Sequence, residues 1–355
     1  MESITTTAAA QQAADAATVA QALRRTAFAH PEIVAVRTID DSVSLTWAQL
    51  CDRADALAGG LAGLGVGRGD CVALMLSNRP EFHVADLAAV TLGAVPFSIY
   101  LTYPAEEIEF LVRDSGARVL IVEQAFLPVV LEARQNLPEL DHVIVIDGEA
   151  QEGVTALAEV EGANPGFDAE SAATQVSDDE ICTLIYTSGT TGPPKGVQLT
   201  HRSVMFAART VREVMDFPAG ARVISWLPSA HIAERMAHHY VPVVYAGTVT
   251  CAPNPREVVS YLPQVRPNWF FAVPRIWEKL KSGLEGLLAS LPDEQRIPAQ
   301  AGLEASLERV RLRQRGQPVP AELEAKVAAT DEQMFSKLRT NLGLDQLLAV
   351  NAGAA

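Results

Sequence analysis

The stretch Ile181–Val197, ICTLIYTSGTTGPPKGV, decides how the rest of the chain is read. Ile181–Tyr186 is an apolar run with the length of a buried β-strand. Thr187, Ser188, Gly189, Thr190, Thr191 and Gly192 follow, and Lys195 stands beyond the pair Pro193–Pro194. Val197–Leu199 then resumes the alternation of a short strand. Gly189 and Gly192 permit backbone angles that side chains forbid, which lets successive N–H groups converge on an anion. The hydroxyls of Thr187, Ser188, Thr190 and Thr191 add donors, and Lys195 adds a positive charge. The strand–loop–strand unit therefore suits the β- and γ-phosphates of a nucleotide. It is not a Walker A loop, which places Gly-Lys-Ser/Thr at the opening of a helix; here Lys195 is followed by Gly196 and Val197.

Outward from this unit, short apolar runs alternate with amphipathic helices, the pattern of an α/β fold with mainly parallel strands flanked by helices. Cys71–Leu76 reads as a strand, and Asn78 with Glu81 as a capping box opening a helix whose Val84, Leu87 and Val90 form a buried stripe. A second helix carries Ile108, Leu111 and Val112 on one face and ends at Gly116. Arg118–Val122 and His142–Ile146 read as further strands. Residues 1–18 are expected as a disordered tail, and 19–355 as one α/β domain with subdomains over about 19–147 and 177–355. The acidic stretch 148–176 reads as their loop-rich connection. Thr200 is placed to cap a helix. Strands are expected near Val223–Leu227, Thr248–Cys251, Trp269–Val273 and Leu347–Val350, with charged helices over about 275–344.

Of the 355 residues, 48% are hydrophobic, enough for a sizeable core, and the net charge of −15 disfavours nucleic acid as a partner. Cys51, Cys71, Cys182 and Cys251 form no CxxC pair, so reduced, mostly buried thiols are expected, as in a cytoplasm. No apolar run reaches the roughly 18 residues of a membrane span, which leaves peripheral membrane contact open. His231, Glu234 and His238 share a helix face, but the spacing is not HExxH. No metal site is expected within the chain, and Glu234 and Arg235 are expected at a pocket rim.

The string YTSGTTGPPKGV, followed by Leu199-Thr-His201, resembles the signature of the acyl-adenylate-forming (AMP-binding) enzymes. Three further strings resemble the long-chain fatty acyl-CoA synthetase branch: Gly93–Ser115 (GAVPFSIYLTYPAEEIEFLVRDS), Ser225–Arg235 (SWLPSAHIAER) and Val273–Lys279 (VPRIWEK). The charged stretch ending in Phe335–Arg339 (FSKLR) is similar to an insertion of that branch. The resemblance runs from about Val19 to the last residue. It implies an N-terminal domain of stacked, mainly parallel sheets and the substrates fatty acid, ATP and CoA, with Mg2+.

Thr187–Gly192 and Lys195 would hold the ATP phosphates. His231 would line the acyl pocket and adjust between the half-reactions, with Trp226 and Phe271 as further pocket candidates. Gly353, Ala354 and Ala355 match the start of the family's adenine-binding segment. The family's remaining parts are a Tyr-Gly-x-Thr-Glu segment, a ribose-binding Asp, and a small C-terminal domain bearing a catalytic lysine. None of these is found up to Ala355. The resemblance therefore implies little or no acyl-CoA formation by this stretch alone, and apolar surface exposed near Leu347–Ala355. Alternatives are a non-catalytic ATP- or acyl-binding remnant, or a ligase for an aryl or medium-chain acid.

Overall fold

The computed structural model describes residues 13–187 and 192–353. Ser188, Gly189, Thr190, Thr191, Ala354 and Ala355 of the expected site lie outside the described residues, as do residues 1–12 of the expected tail. The chain divides after Arg256 into two separately packed units.

The first unit opens with α1 (Val19–Ala29), whose first turn is capped by the Thr18 hydroxyl. The chain is packed earlier than expected: Ala13, Ala14 and Ala16 are buried, because Arg209 donates to the carbonyls of Ala14 (2.6 Å) and Ala16 (2.7 Å). Strands β1 (Val34–Thr38) and β2 (Ser44–Thr46) form an antiparallel pair, and the chain then enters α2 (Trp47–Gly63) through a Thr46–Gln49 capping box.

The next elements are β3 (Cys71–Met75), α3 (Pro80–Thr91), β4 (Val95–Ser98), α4 (Ala105–Ser115), β5 (Val119–Val122), α5 (Leu127–Arg134), β6 (His142–Val145) and β7 (Val154–Ala156). Their five strands make a wholly parallel sheet in the order β4-β3-β5-β6-β7. Such strands are apolar on both faces, so both faces need cover. On one face Ile108, Leu111 and Val112 of α4, with Leu127, Val130 and Ala133 of α5, supply it.

The acidic stretch 148–176 holds β7, α6 (Leu157–Glu161) and α7 (Ala169–Gln175) between its loops. After it, β8 (Ile181–Thr187) and β9 (Lys195–Thr200) form an antiparallel hairpin, and Leu184 and Tyr186 of β8 enter the same core as α4 and α5. Thr200 caps α8 (His201–Thr210), as expected. Strands β10 (Arg222–Ser225) and β11 (Thr248–Cys251) join β1 and β2 in a second sheet of order β10-β11-β1-β2. Between them lies a continuous helical run: α9 (Ile232–Arg235), a π-helical turn at Met236–Tyr240, and α10 (Val241–Tyr245).

Helix α3 is buried on every side, not along one stripe. It packs against β1 of one sheet and β3 and β4 of the other, and its near-continuous apolar sequence is what such a position demands. The expected Asn78–Glu81 capping box does not form. Pro80 fixes the first helical position, so the helix starts two residues beyond Asn78. The Asn78 amide donates instead to Leu227 O (2.8 Å) and Ser225 Oγ (2.9 Å), and Glu81 pairs with Arg79 (2.8 Å).

The second unit contains α11 (Val258–Val265), β12 (Trp269–Ala272), the helices α12 (Pro274–Ser290), α13 (Asp293–Gln314), α14 (Ala321–Thr330) and α15 (Ser336–Asn341), and β13 (Ala349–Ala352). Strands β12 and β13 pair in parallel, with Phe271 opposite Asn351. Leu348 and Val350 are 58% and 53% exposed, the apolar surface expected at this edge. Cys51, Cys182 and Cys251 are buried free thiols and Cys71 is half-buried; burial pushes the Cys51 thiol up to about 12 and that of Cys71 to about 11. Among the described residues no helix is long and apolar enough to cross a membrane.

Two outcomes follow from this packing. A Cβ at Gly60 of α2 would lie 1.9 Å from Val160 O of α6, a clash with backbone that cannot yield cheaply. Gly60→Ala is therefore expected to cost about 2–3 kcal/mol in urea unfolding; wild-type stability would contradict this helix contact. The second concerns His201, whose imidazole is fully buried and whose Nδ1 accepts the Val19 N–H (3.3 Å). Burial pushes His201 down to about 4 from 6.5. The unfolded chain therefore binds this proton more readily. Stability is full above pH 6.5 and falls as pH drops toward 4, by about 3 kcal/mol in all. Burial also lowers His30 and His83, but those residues are present in both proteins being compared. Asn at position 201 keeps an acceptor without the proton, so His201→Asn is expected to flatten the pH–stability curve by up to about one proton between pH 6.5 and 4. Parallel curves for the two proteins would contradict this.

Candidate active site

The carboxyl ends of β4, β8 and β10 converge in the first unit. The segment after β4 brings Tyr100, Thr102 and Tyr103, the end of β8 brings Ile185, Tyr186 and Thr187, and the segment leading into α9 brings Ala230, His231 and Ile232. Together they line a cavity of about 380 Å³. Crevices at the carboxyl ends of parallel strands are where open α/β sheets bind ligands. A neighbouring cavity of about 230 Å³ shares Tyr100, Thr102 and Ala230, and its other walls include Leu76, Ile99, Leu101 and Pro228.

Thr187 and His231, two candidate residues from distant motifs, thus face one space. Thr187 ends β8 and pairs across the hairpin with Lys195, so both ends of the glycine-rich loop leave from one register position. Lys195 is exposed, and Gly192 has a φ of +138°. One turn of register further, Gly196 faces Tyr186, and a Cβ there would meet the Tyr186 ring at 3.2 Å. Tyr186 donates to Asp114 Oδ2 (2.8 Å) on α4, and its ring lies 5.4 Å from that of Phe97. Burial, with Asp114 beside it, pushes the Tyr186 phenol well up, so it stays a donor.

His231 caps α9: its Nδ1 accepts the Ala233 N–H at 3.0 Å. A neutral ring that accepts at Nδ1 carries its proton on Nε2. Tyr100 and Tyr103 stand on the facing wall with ring centroids 5.3 Å apart, and burial pushes both phenols up. The structure therefore places neutral hydroxyls and an imidazole around one polar–apolar space.

Glu234 and Arg235 are not at a rim but fully buried. Glu234 Oε2 accepts from Leu227 N (3.0 Å) and from His238 Nδ1 (2.6 Å), while Oε1 lies 3.2 Å from the Asn78 amide. The Glu234–His238 spacing thus serves a buried hydrogen bond. Arg235 forms an ion pair with Asp86 of α3, and its Nη1 donates to Ser98 Oγ at 2.9 Å. Burial pushes the Asp86 carboxyl up, but Arg235 and His239 outweigh it and hold it below the usual range. Among the described residues, no group of three or more His, Cys, Asp or Glu side chains is placed to hold a metal ion.

Trp226 is buried directly after β10 and does not line the cavity. Phe271 lies in the second unit, half-buried in β12. There it neighbours Gly353, whose N–H donates to Ala272 O (3.3 Å) and where a Cβ would sit 3.5 Å from the Phe271 ring. Sequence reasoning missed Tyr100, Thr102 and Tyr103 as cavity residues. It also missed Asp86, although a carboxylate inside the apolar run of α3 was a visible signal.

The profile of AMP-binding enzymes matches residues 23–336. A long-chain-fatty-acid–CoA ligase of Mycobacterium bovis is 31% identical over 91% of this chain and 54% of its own length. A long-chain-fatty-acid–CoA ligase of Xenopus laevis is 29% identical over 88% of this chain and 44% of its own length. The chain thus spans about half the length of these relatives. Among solved structures, the inhibitor-bound N-terminal domain of FACL13 from Mycobacterium tuberculosis is similar with a TM-score of 0.66 and 29% identity, covering 74% of this chain and 65% of that one. The anthranilate CoA ligase AuaEII, in complex with anthranoyl-AMP, is similar with a TM-score of 0.67 and 28% identity, covering 72% of this chain and 50% of that one. With that match running through both units, and the glycine-rich hairpin inside it, the chain belongs to the AMP-binding enzyme family.

Proposed function

We propose that this chain carries the acyl- and nucleotide-holding part of an ATP-dependent long-chain fatty acid–CoA ligase. A carboxylate oxygen attacks the α-phosphorus of ATP, forming acyl-AMP as pyrophosphate leaves. The sulfur of CoA then attacks the acyl carbonyl, the thiol proton is lost, and AMP departs. The observation that carries this reading is the shared cavity: Thr187, at the base of the glycine-rich loop, and His231 line the same space.

Positioning and charge neutralisation are most of what such phosphoryl chemistry asks of a protein. Residues 187–192 and Lys195 would hold the phosphates, with Lys195 opposite Thr187 across the hairpin. His231, with its Nδ1 engaged by Ala233, would present Nε2–H to the acyl carbonyl or the adenylate phosphate. The apolar neighbouring cavity supports an aliphatic acid, as do the fatty-acid ligases among the relatives. Magnesium would arrive as the counter-ion of ATP.

Titration calorimetry with ATP and with the non-hydrolysable sulfamoyl analogue of palmitoyl-AMP tests this. Both should bind the folded chain. Thr187→Val combined with Lys195→Ala should weaken both at least about tenfold, the loss of roughly 1.4 kcal/mol or more. His231→Ala should weaken the acyl analogue about tenfold and ATP less than about twofold. A folded chain that ignores ATP, or binds it equally well after residues 187–195 are scrambled, would refute the reading. A benzoyl analogue binding as tightly as the palmitoyl one would overturn the fatty-acid assignment.

A further inference from the structure

Two walls of the candidate cavity hang on one buried side chain. Tyr100–Tyr103 follow β4 almost directly, and Ser98 is its last residue. His231 stands four residues before Arg235, and the Arg235 N–H donates to His231 O (3.3 Å). The Arg235 guanidinium divides its donors. Nη1 reaches Ser98 Oγ at 2.9 Å, and Nη2 reaches the Asp86 carboxylate on α3. Arg235 and Asp86 are both 0% exposed. One arginine thereby fixes the helical run beginning at His231 against both the strand that delivers Tyr100 and the helix between the sheets.

The neighbours keep the acceptor aimed. Asp86 Oδ1 accepts from His239 Nε2 at 2.9 Å, which leaves His239 Nδ1 facing His83. His83 Nδ1 lies 2.9 Å from that atom. His239 thus occupies one carboxylate oxygen and leaves the other for Arg235. The guanidinium also lies 5.5 Å from the Phe82 ring centroid and 5.8 Å from that of Tyr240. A buried ion pair is poor value as a fastener, because apolar residues of similar volume hold elements together as well. What they lack is direction.

We infer that Asp86, Arg235 and Ser98 are positioning residues that set His231 against the Tyr100 wall. The bearing on catalysis rests on the function proposed above; the bearing on His231 does not. The test measures the side-chain 15N signals of His231 in the whole chain, which report the ring nitrogen carrying the proton. In wild type the two nitrogens should be distinct, with Nδ1 unprotonated. Ser98→Ala leaves the ion pair in place, and Asp86→Leu with Arg235→Met replaces it by apolar volume. Both are expected to stay folded and yet to average the two His231 signals and weaken the palmitoyl-AMP analogue at least about tenfold.

If the double variant fails to fold, Ser98→Ala alone decides. Folded variants with wild-type His231 spectra would overturn the inference, even if affinity fell. If the analogue fails to bind wild type, the proposed function fails while the spectra still decide this question.

Discussion

The pairing of Asp86 with Arg235 is the constraint around which the first unit is arranged. Helix α3 lies between two sheets, and a carboxylate there can stay ionised only beside a cation. Arg235 supplies it from the helical run that follows β10. Each partner alone would be an uncompensated buried charge, a state that typically costs about 3–5 kcal/mol. The pair therefore forces the segment 231–240 to dock on α3 in one register. His239 Nε2 on Asp86 Oδ1, together with the π-helical turn that carries His239, adds a second contact on the same carboxylate. A further residue of that turn, His238, turns back to Glu234, which in turn holds Leu227 N–H. The loop 226–231 is thus tethered at both ends by groups out of reach of water.

The glycine-rich hairpin meets a different requirement. Its two strands must be held on the rest of the unit. The base here is firm for identifiable reasons. Thr183 donates to Pro96 O at 2.7 Å, linking β8 to β4, and Tyr186 donates to Asp114. A Cβ at Gly196 would press on the Tyr186 ring at 3.2 Å, so glycine eases the packing there. The motif's glycines consequently have separate duties: Gly196 serves packing at the base, whereas Gly192, at φ +138°, serves the turn.

Much of this architecture could be read from the sequence. Strands β3, β5 and β6 were visible as continuous apolar runs, and the hairpin β8–β9 flanked its loop where the apolar pattern said it should. Thr200 capped α8 because a hydroxyl before a helical run has few better uses. What escaped the reading were pairings between residues far apart. Asn78 looked like a cap because its partners, Ser225 and Leu227, lie about 150 positions away. Arg235 looked like a rim residue because local periodicity gives no hint that Asp86 waits 149 positions upstream. Tyr100 and Tyr103 stood unmarked inside the string Gly93–Ser115, since a cavity wall has no periodicity of its own. Polar residues inside apolar runs, Asn78 and Asp86 among them, were the warning sign.

Topology explains why those polar pairings gather beside the cavity. β3, β4 and β10 belong to two sheets, yet the segments following all three contribute to the same pair of cavities: Ser77–Asn78 after β3, Tyr100–Thr102 after β4, and Pro228–His231 after β10. Parallel strands deliver their exits to one side, so two sheets packed on a shared helix bring two sets of exits together. The helix between them must then be apolar for the sheets and polar toward the exits. Asn78, at the entrance to α3, meets that demand by donating to Leu227 O in the β10–α9 connection, and Asp86, two turns further along, by accepting from Arg235 at the end of α9. A fold that buries a helix between two parallel-stranded layers acquires, at one end of that helix, both the space for a ligand and the polar anchors that shape it.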